Sequence, residues 1–416
     1  MRILWLGHFV PWPLRGGSLL RSYHLLAEAS RAGEVSFLGF RQSDLHPTPE
    51  SLEEARLALG AICTRVRILA IPAEKGAFFR QRLVLQGLRG RAYDEAWLSS
   101  GEMRRALVEE IETFRPNVIH VDTIGLAPYL SLVPQVPAVL NHHNIESQMM
   151  ARRAERSSNV VSRAVLRRQS NLLEALERRW VLQARRNIVV SELDGERLAA
   201  TVRGAIVDVV PNGVDVDYFK SERIRSVIRP RSMVFAGGLN WYPNRSAMRW
   251  FLAEVFPLIR DRYPDATMTI IGRNGSAGTE GILGSVSGVV FPGEVPDIRP
   301  IVSRSAVYVC PMLEGGGTRL KILDALAQGI PLVASRLAVE GIPARNGHEA
   351  LLADDARPFA DAVCSLFDDP ATGERLAQCG RALVESCFSW GVIGARLRAA
   401  YQAGIASSGI QSCAAS

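Results

Sequence analysis

Lysine is almost missing from this chain. Arginine and lysine together number 49, yet only Lys75, Lys220 and Lys321 are lysines. A lysine in such a background marks a position suited to a compact ammonium rather than a planar fork. Paired cysteines are missing as well. Cys63, Cys310, Cys364, Cys379, Cys387 and Cys413 are scattered, with no CxxC spacing. That speaks against a disulfide framework or a zinc site and predicts reduced thiols in a cytoplasmic protein. No uninterrupted apolar run reaches 18 residues, so no membrane span is expected. The opening MRILWLGHFVP has one basic residue and an apolar run that stops at Pro11. It is too short for a secretory signal and predicts a first buried strand. Acidic residues number 42, which leaves a net charge of +7 and a pI of about 9.3. Anionic partners fit that balance, either nucleotide phosphates or anionic lipid. Nucleic acid is not expected, because the chain carries neither a zinc spacing nor an RNA-binding signature.

The 416 residues, 47% hydrophobic and 22% charged, suit a soluble chain of two or three domains. Short apolar runs alternate with helical patterns. Strands are expected at 2–7, 34–40, 66–71, 117–122, 138–143 and 187–191, with 206–215 ending the first half. One long helical region covers about 144–186. The pattern restarts after the arginine-containing segment 221–232, with strands at 233–239, 266–272, 288–293, 306–311 and 331–335. Short strands separated by helices imply parallel βαβ units. The fold class read from this is α/β with two doubly wound halves, 1–210 and 211–387. Residues 388–406 form a last helix expected to pack back on the N-terminal half, and 407–416 read as a disordered tail.

The most informative string is EGGGTRLKILDALAQGIP, residues 314–331. Gly315, Gly316 and Gly317 lead into an apolar helical pattern, with Arg319 and Lys321 in its first turn and Asp324 about one turn later. Free amides at a helix start favour an anion, and glycines let a ligand approach the main chain. An added arginine and lysine make the string a candidate diphosphate cradle. A chance lysine in an arginine-rich chain is the plainer alternative.

Taken in order, these residues resemble a GT-B glycosyltransferase of the retaining, nucleotide-sugar-dependent family 4. The resemblance rests on Gly16 and Gly17 after the first strand, NHHNIES (141–147), VVSELD (189–194) and PNGVD (211–215). It continues through FAGGLNWYPN at the opening of the second half, FPGEVPDIRP (291–300) and EGGGTRLKILDALAQGIPLVAS (314–335). It implies two Rossmann-like domains facing an interdomain cleft. It further implies transfer of a sugar from a nucleotide diphosphate donor to a carbohydrate or lipid-linked acceptor, in polysaccharide or glycolipid assembly. Two departures stand out. The family's paired glutamates fall on Gly316, with Glu314 nearby, and on Asp324. The registers of its usual second-domain Arg and Lys hold Gly238 and Pro243. Arg319 and Lys321 would then carry the phosphate charge.

By this resemblance the donor site comprises Gly16, Gly17, Glu314, Gly315, Gly316, Gly317, Thr318 and Asp324, with His143, Arg319 and Lys321 as the catalytic group. Asp324 offers two acceptors to a vicinal diol such as ribose, or simply pairs with Lys321 on a helix face. Gly16 and Gly17 serve either the phosphate or a plain turn after Pro13. His143 closes an apolar strand, with His142 expected on the opposite face. His120 is read equally as functional or as sheet packing, and His8 and His24 as structural. No metal and no cofactor beyond the donor are expected. Residues 152–186 and 78–91 are arginine-rich and amphipathic, read evenly as a contact with the inner face of an anionic membrane or as a solvated helix face. Other readings are a GT-B nucleotide-sugar epimerase or hydrolase and a non-catalytic, arginine-rich adaptor for membrane or nucleic acid. An adaptor would tolerate loss of Lys321 and His143, whereas the enzyme would not.

Overall fold

The computed structural model describes residues 1–14, 16–74, 86–87, 89–155, 157, 159–220, 227–273, 286–314 and 319–413. The chain divides into two units, one of Met1–Pro211 with Ile393–Ser416 and one of Asn212–Val392.

In unit 1, seven runs rich in Val, Ile, Leu and Phe become parallel strands. They are β1 (Arg2–Gly7), β2 (Glu34–Arg41), β3 (Arg65–Ala70), β4 (Val118–Val121), β5 (Ala138–Asn141), β6 (Arg186–Val189) and β7 (Val207–Val209). Their order is β3-β2-β1-β4-β5-β6-β7. Ile3, Leu4, Trp5 and Leu6 are all fully buried. That is why β1 reads as continuous rather than alternating apolar sequence: a central parallel strand is covered on both faces. The helices between these strands are α1 (Gly17–Ala32), α2 (Pro49–Gly60), α3 (Tyr93–Trp97), α4 (Gly101–Phe114), α5 (Glu146–Glu155), α6 (Val160–Trp180) and α7 (Glu192–Thr201). The single helical region expected over 144–186 is two helices. Asn159 is the reason, since its side chain accepts from the Ser162 amide at 3.0 Å and caps a new start for α6.

Unit 2 has β8 (Arg229–Ala236), β9 (Thr267–Ile271), β10 (Val289–Gly293), β11 (Ser305–Cys310), β12 (Leu332–Ala334) and β13 (Leu351–Leu352), in the order β10-β9-β8-β11-β12-β13 and all parallel. Its helices are α8 (Tyr242–Trp250), a π-helical turn over Phe251–Val255, α9 (Phe256–Arg262), α10 (Arg299–Ser303), α11 (Leu320–Ala327), α12 (Ala356–Asp368) and α13 (Pro370–Cys387). Phe251, Phe256 and Phe359 anchor its core, with Phe251 lying 5.9 Å from Phe359 ring to ring.

The last helix, α14 (Trp390–Cys413), leaves unit 2 and belongs to unit 1 from Ile393 onward. α14 continues as helix through Cys413. Leu397, Ala400 and Tyr401 are buried and fix the preceding turns, so the following residues extend a helix that is already nucleated. The six strands of the unit 2 sheet follow the same order as the first six of the seven in unit 1. In each, the chain turns back between the first strand and the fourth, β1 beside β4 and β8 beside β11. Doubly wound sheets bind ligands outside the carboxyl ends of strands at that switch point.

Candidate active site

At the switch point of unit 2, β8 ends at Ala236 and runs into Gly237 and Gly238. Tyr308 of β11 steadies that end, because its buried hydroxyl accepts from the Ala236 amide at 3.1 Å. Lys321 enters from the first turn of α11. Its Nζ donates to Asn244 Oδ1 of α8 at 2.5 Å and lies 4.4 Å above the Phe235 ring. The Asn244 amide in turn donates to the Gly238 carbonyl at 2.9 Å. A Cβ on Gly237 would stand 2.7 Å from the ammonium and 2.8 Å from the Asn244 amide nitrogen, so glycine is what lets the main chain and the lysine share this space.

Burial sets the charge chemistry here. It lowers Lys321 to about 8, with Cys310 and Asp324 acting the other way. It raises Asp324 to about 7 against the pull of Lys321. Arg319 precedes α11 and is also lowered by burial, with its Nη2 3.5 Å from the Glu314 carbonyl oxygen. The Glu314 carboxylate accepts from the Tyr242 hydroxyl. The structure therefore gathers Arg319, Lys321 and Asp324 around the start of α11, with Glu314 linked to Arg319 and to Tyr242. Gly315, Gly316, Gly317 and Thr318 lie outside the described residues. The registers at Gly238 and Pro243 carry no cation. Asn244, one residue beyond Pro243, is instead the partner that holds Lys321, and sequence reading missed it.

The equivalent place in unit 1 is built around a carboxylate. Asp122 follows β4, His143 follows β5 by two residues, and His8 follows β1. Asp122 is fully buried. Its Oδ1 accepts from Asn141 Nδ2 at 3.0 Å and lies 3.2 Å from His143 Nε2, while its Oδ2 accepts from Ser22 Oγ at 2.8 Å and lies 3.5 Å from His8 Nδ1. Burial pushes Asp122 up, but the charge of His143 and the imidazoles of His120, His143 and His8 outweigh it and hold the carboxyl well below the usual range. Burial lowers His143, against the pull of Asp122. Arg21, also buried, donates to the Pro211 carbonyl at 2.9 Å and to Asn141 Oδ1 at 3.2 Å. Both Arg21 and Ser22 come from α1, whose first residue is Gly17 and whose cap is Gly16 at φ 97°.

His8 was expected to be structural, yet it stands beside Asp122. His120 stacks on Trp5 at 3.6 Å and meets the Tyr401 hydroxyl at 2.9 Å, so it packs within the sheet. His142 is buried against Asn187 Oδ1 at 3.3 Å and lowered to about 4 by burial. The ligating atoms of His8, Asp122 and His143 lie within 4.8 Å of one another, close enough to hold a divalent ion. Metal-bound histidines, however, normally bond a partner through the other ring nitrogen. No such bond reaches His143 Nδ1 or His8 Nε2 among the described residues.

Known proteins match both units. The family model described as Glycosyltransferase Family 4 matches residues 58–218, and the one described as Glycosyl transferases group 1 matches residues 230–369. A phosphatidyl-myo-inositol mannosyltransferase of Mycobacterium tuberculosis is 28% identical over 225 residues, which span 52% of this chain and 58% of that protein. The structure of a sucrose-phosphate synthase from Thermosynechococcus elongatus superimposes with a TM-score of 0.69 at 16% identity, covering 100% of both chains. Anabaena HepE, solved in complex with UDP, does so with a TM-score of 0.66 at 15% identity, covering 95% of this chain and 98% of that one. Among the described residues no helix is long and apolar enough to cross a membrane. With two parallel α/β sheets whose first six strands share one order, a cationic and a carboxylate cluster at their switch points, and a family match in each unit, the chain belongs to the group 1, family 4 glycosyltransferases of GT-B fold.

Proposed function

We propose that the protein is a retaining glycosyltransferase. It moves a sugar from a nucleotide diphosphate sugar to a carbohydrate or lipid-linked acceptor in polysaccharide or glycolipid assembly. The observation that carries this reading is the Lys321 ammonium, held by Asn244 against Gly237 at the switch point of unit 2, with Asp324 one helical turn away. As the bond between the sugar and the diphosphate breaks, negative charge grows on the leaving oxygen. Lys321 and Arg319 are the groups that stabilise it, and a preorganised contact of this kind contributes roughly 10²–10³-fold in rate. Asp324 accepts from the ribose hydroxyls, and Glu314 with the Gly315–Thr318 string lines the donor. His143 of unit 1 serves the transferred sugar, and Gly16 and Gly17 offer main-chain amides to the donor. The cationic side chains neutralise the diphosphate, so the reading requires neither metal nor cofactor.

The UDP bound to HepE makes uridine donors the first to try. The test is a thermal-shift screen of nucleotides and nucleotide sugars, followed by NMR of the product anomer. A donor at a hundred times its dissociation constant raises apparent stability by ~2.7 kcal/mol. No shift with any nucleotide sugar would overturn the donor site. Sugar released to water with every acceptor offered would mean a hydrolase, and an inverted anomer would refute retention.

Peripheral contact with an anionic membrane is part of the same proposal. Val160, Val161 and Val165 are 74%, 73% and 55% exposed at the start of α6, and Arg167 and Arg168 on the same helix are exposed. The arginine-rich segment 78–91 falls largely outside the described residues. Co-sedimentation with phosphatidylserine vesicles but not with neutral ones is the expected result.

A further inference from the structure

We infer that Asp122 is a positioning residue that fixes the tautomer of His143, leaving His143 Nδ1 as a lone-pair acceptor for sugar hydroxyls. The assignment to sugar rests on the glycosyl-transfer reading of unit 1. The His143 tautomer follows from the geometry of the Asp122 cluster.

Arg21 decides the first step. Its guanidinium can only donate, and it lies 3.2 Å from Asn141 Oδ1, so the other face of that amide, Nδ2, is the one turned to Asp122. Asn141 Nδ2 and Ser22 Oγ thus fill one site on each carboxylate oxygen. An ionised carboxylate accepts only, and it offers about four lone-pair sites. Of the ring nitrogens around it, His143 Nε2 is the nearest, 3.2 Å from Oδ1, while His8 Nδ1 at 3.5 Å and His120 Nε2 at 3.8 Å lie close without a hydrogen bond. A ring nitrogen in the His143 position must carry hydrogen.

There is one competitor. Asn141 Nδ2 also lies 3.3 Å from His143 Nε2, where a lone pair could accept from it. That lone pair would then point at a buried negative charge, whereas the Nε2–H form gains a charge-assisted bond roughly twice as strong as a neutral one. The Nε2–H form wins. His143 Nδ1 then has no partner among the described residues, and the side chain keeps 10% exposure. A neutral acceptor nitrogen suits a hydroxyl donor and repels a phosphate oxygen. The cluster is therefore selective for the sugar part of a ligand.

The test is long-range proton–nitrogen NMR of the full chain with ¹⁵N-labelled histidine rings, without ligand, with His143→Gln and His8→Gln assigning the signals. Wild type is expected to give Nε2–H for His143. Asp122→Asn should move His143 toward the Nδ1–H form. It should lower kcat on the order of 10²-fold while KM for the donor stays within about twofold, as for an interaction made mainly in the transition state. A wild-type His143 in the Nδ1–H form overturns the inference, as does an Asp122→Asn variant with unchanged tautomer and kcat. Zinc at micromolar levels that shifts both rings, and does so only with Asp122 present, would identify a metal site and equally overturn it. Should Asp122→Asn not fold, the wild-type spectrum and Ser22→Ala, which removes only one donor to the carboxylate, decide the matter. The expected spectrum in a protein that transfers no sugar would count against the glycosyl-transfer reading and leave the role of Asp122 standing.

Discussion

The two switch points occupy the same place in sheets whose first six strands share one order, but their chemistry is opposite. In unit 2 a lysine is pressed against a glycine main chain, and burial strips some of its proton affinity. In unit 1 a carboxylate takes hydrogen bonds from Ser22 and Asn141, has imidazoles and the buried Arg21 beside it, and keeps its charge. A buried charge costs free energy unless it is bonded. Asp122 is bonded by its own protein, whereas Lys321 has one neutral amide oxygen and an aromatic face. The Asp122 carboxylate is satisfied within its own unit. In the proposed function the Lys321 cluster is the one that an anion completes.

Four changes test that contrast, beginning with the largest expected effect. Lys321→Ala should cut kcat/KM on the order of 10²–10³-fold and weaken nucleoside diphosphate binding, read by calorimetry, with the fold intact. Equal affinity in the variant would break the assignment of the anion to unit 2. His143→Ala should lower kcat by about 10²-fold yet bind the nucleoside diphosphate as wild type does. A parallel loss of diphosphate affinity would mean the two clusters do not divide the ligand as proposed.

The third change concerns pH. The Asp324 pKa is raised from its ordinary value to about 7, and that of Lys321 is lowered to about 8. Donor binding needs the first ionised and the second protonated, so affinity should peak between about 7 and about 8 and fall on both sides. Asp324→Asn should remove the acid limb and weaken binding roughly tenfold at the optimum, the loss of one hydrogen bond to a charged acceptor. For stability the sign is fixed by proton uptake. Between the ordinary value of 3.8 and about 7 the folded state holds more protons than the unfolded one, so this carboxyl makes the ligand-free protein less stable as pH rises through that window. Asp324→Asn should thus raise Tm at pH 8 relative to wild type and not at pH 4. The smallest effect is expected from Tyr401→Phe, which removes the bond to His120 and should cost about 1 kcal/mol in denaturant unfolding with transfer activity unchanged.

Much of the fold was legible because parallel strands buried on both faces leave unbroken apolar runs, as in β1 and β11. β13 escaped because two residues, Leu351 and Leu352, make no pattern. The break between α5 and α6 was hidden in continuous helix-forming sequence and turned on one cap, Asn159. Lys321 and Asp324 were legible through local spacing, since residues three apart share a helix face. His8 was not, because its partners lie 114 and 135 positions away in sequence, at the ends of β4 and β5. A signal did exist. His8, Asp122 and His143 each follow a strand, and β1, β4 and β5 are neighbours in any sheet of this order. Asn244 gave no such sign, because an amide in a helix start is unremarkable until a lysine is seen to reach it.

The passage of α14 from one unit to the other has a consequence for how the molecule is made. Unit 2 is an insertion within unit 1, entered after Pro211 and left at Val392. During synthesis the first 211 residues emerge early but lack the segment that places Tyr401 against His120, while unit 2 emerges whole. Domains fold as units once their chain is available. The unit that begins first is therefore the one that finishes last, and a chain cut at Val392 would lose part of its oldest half.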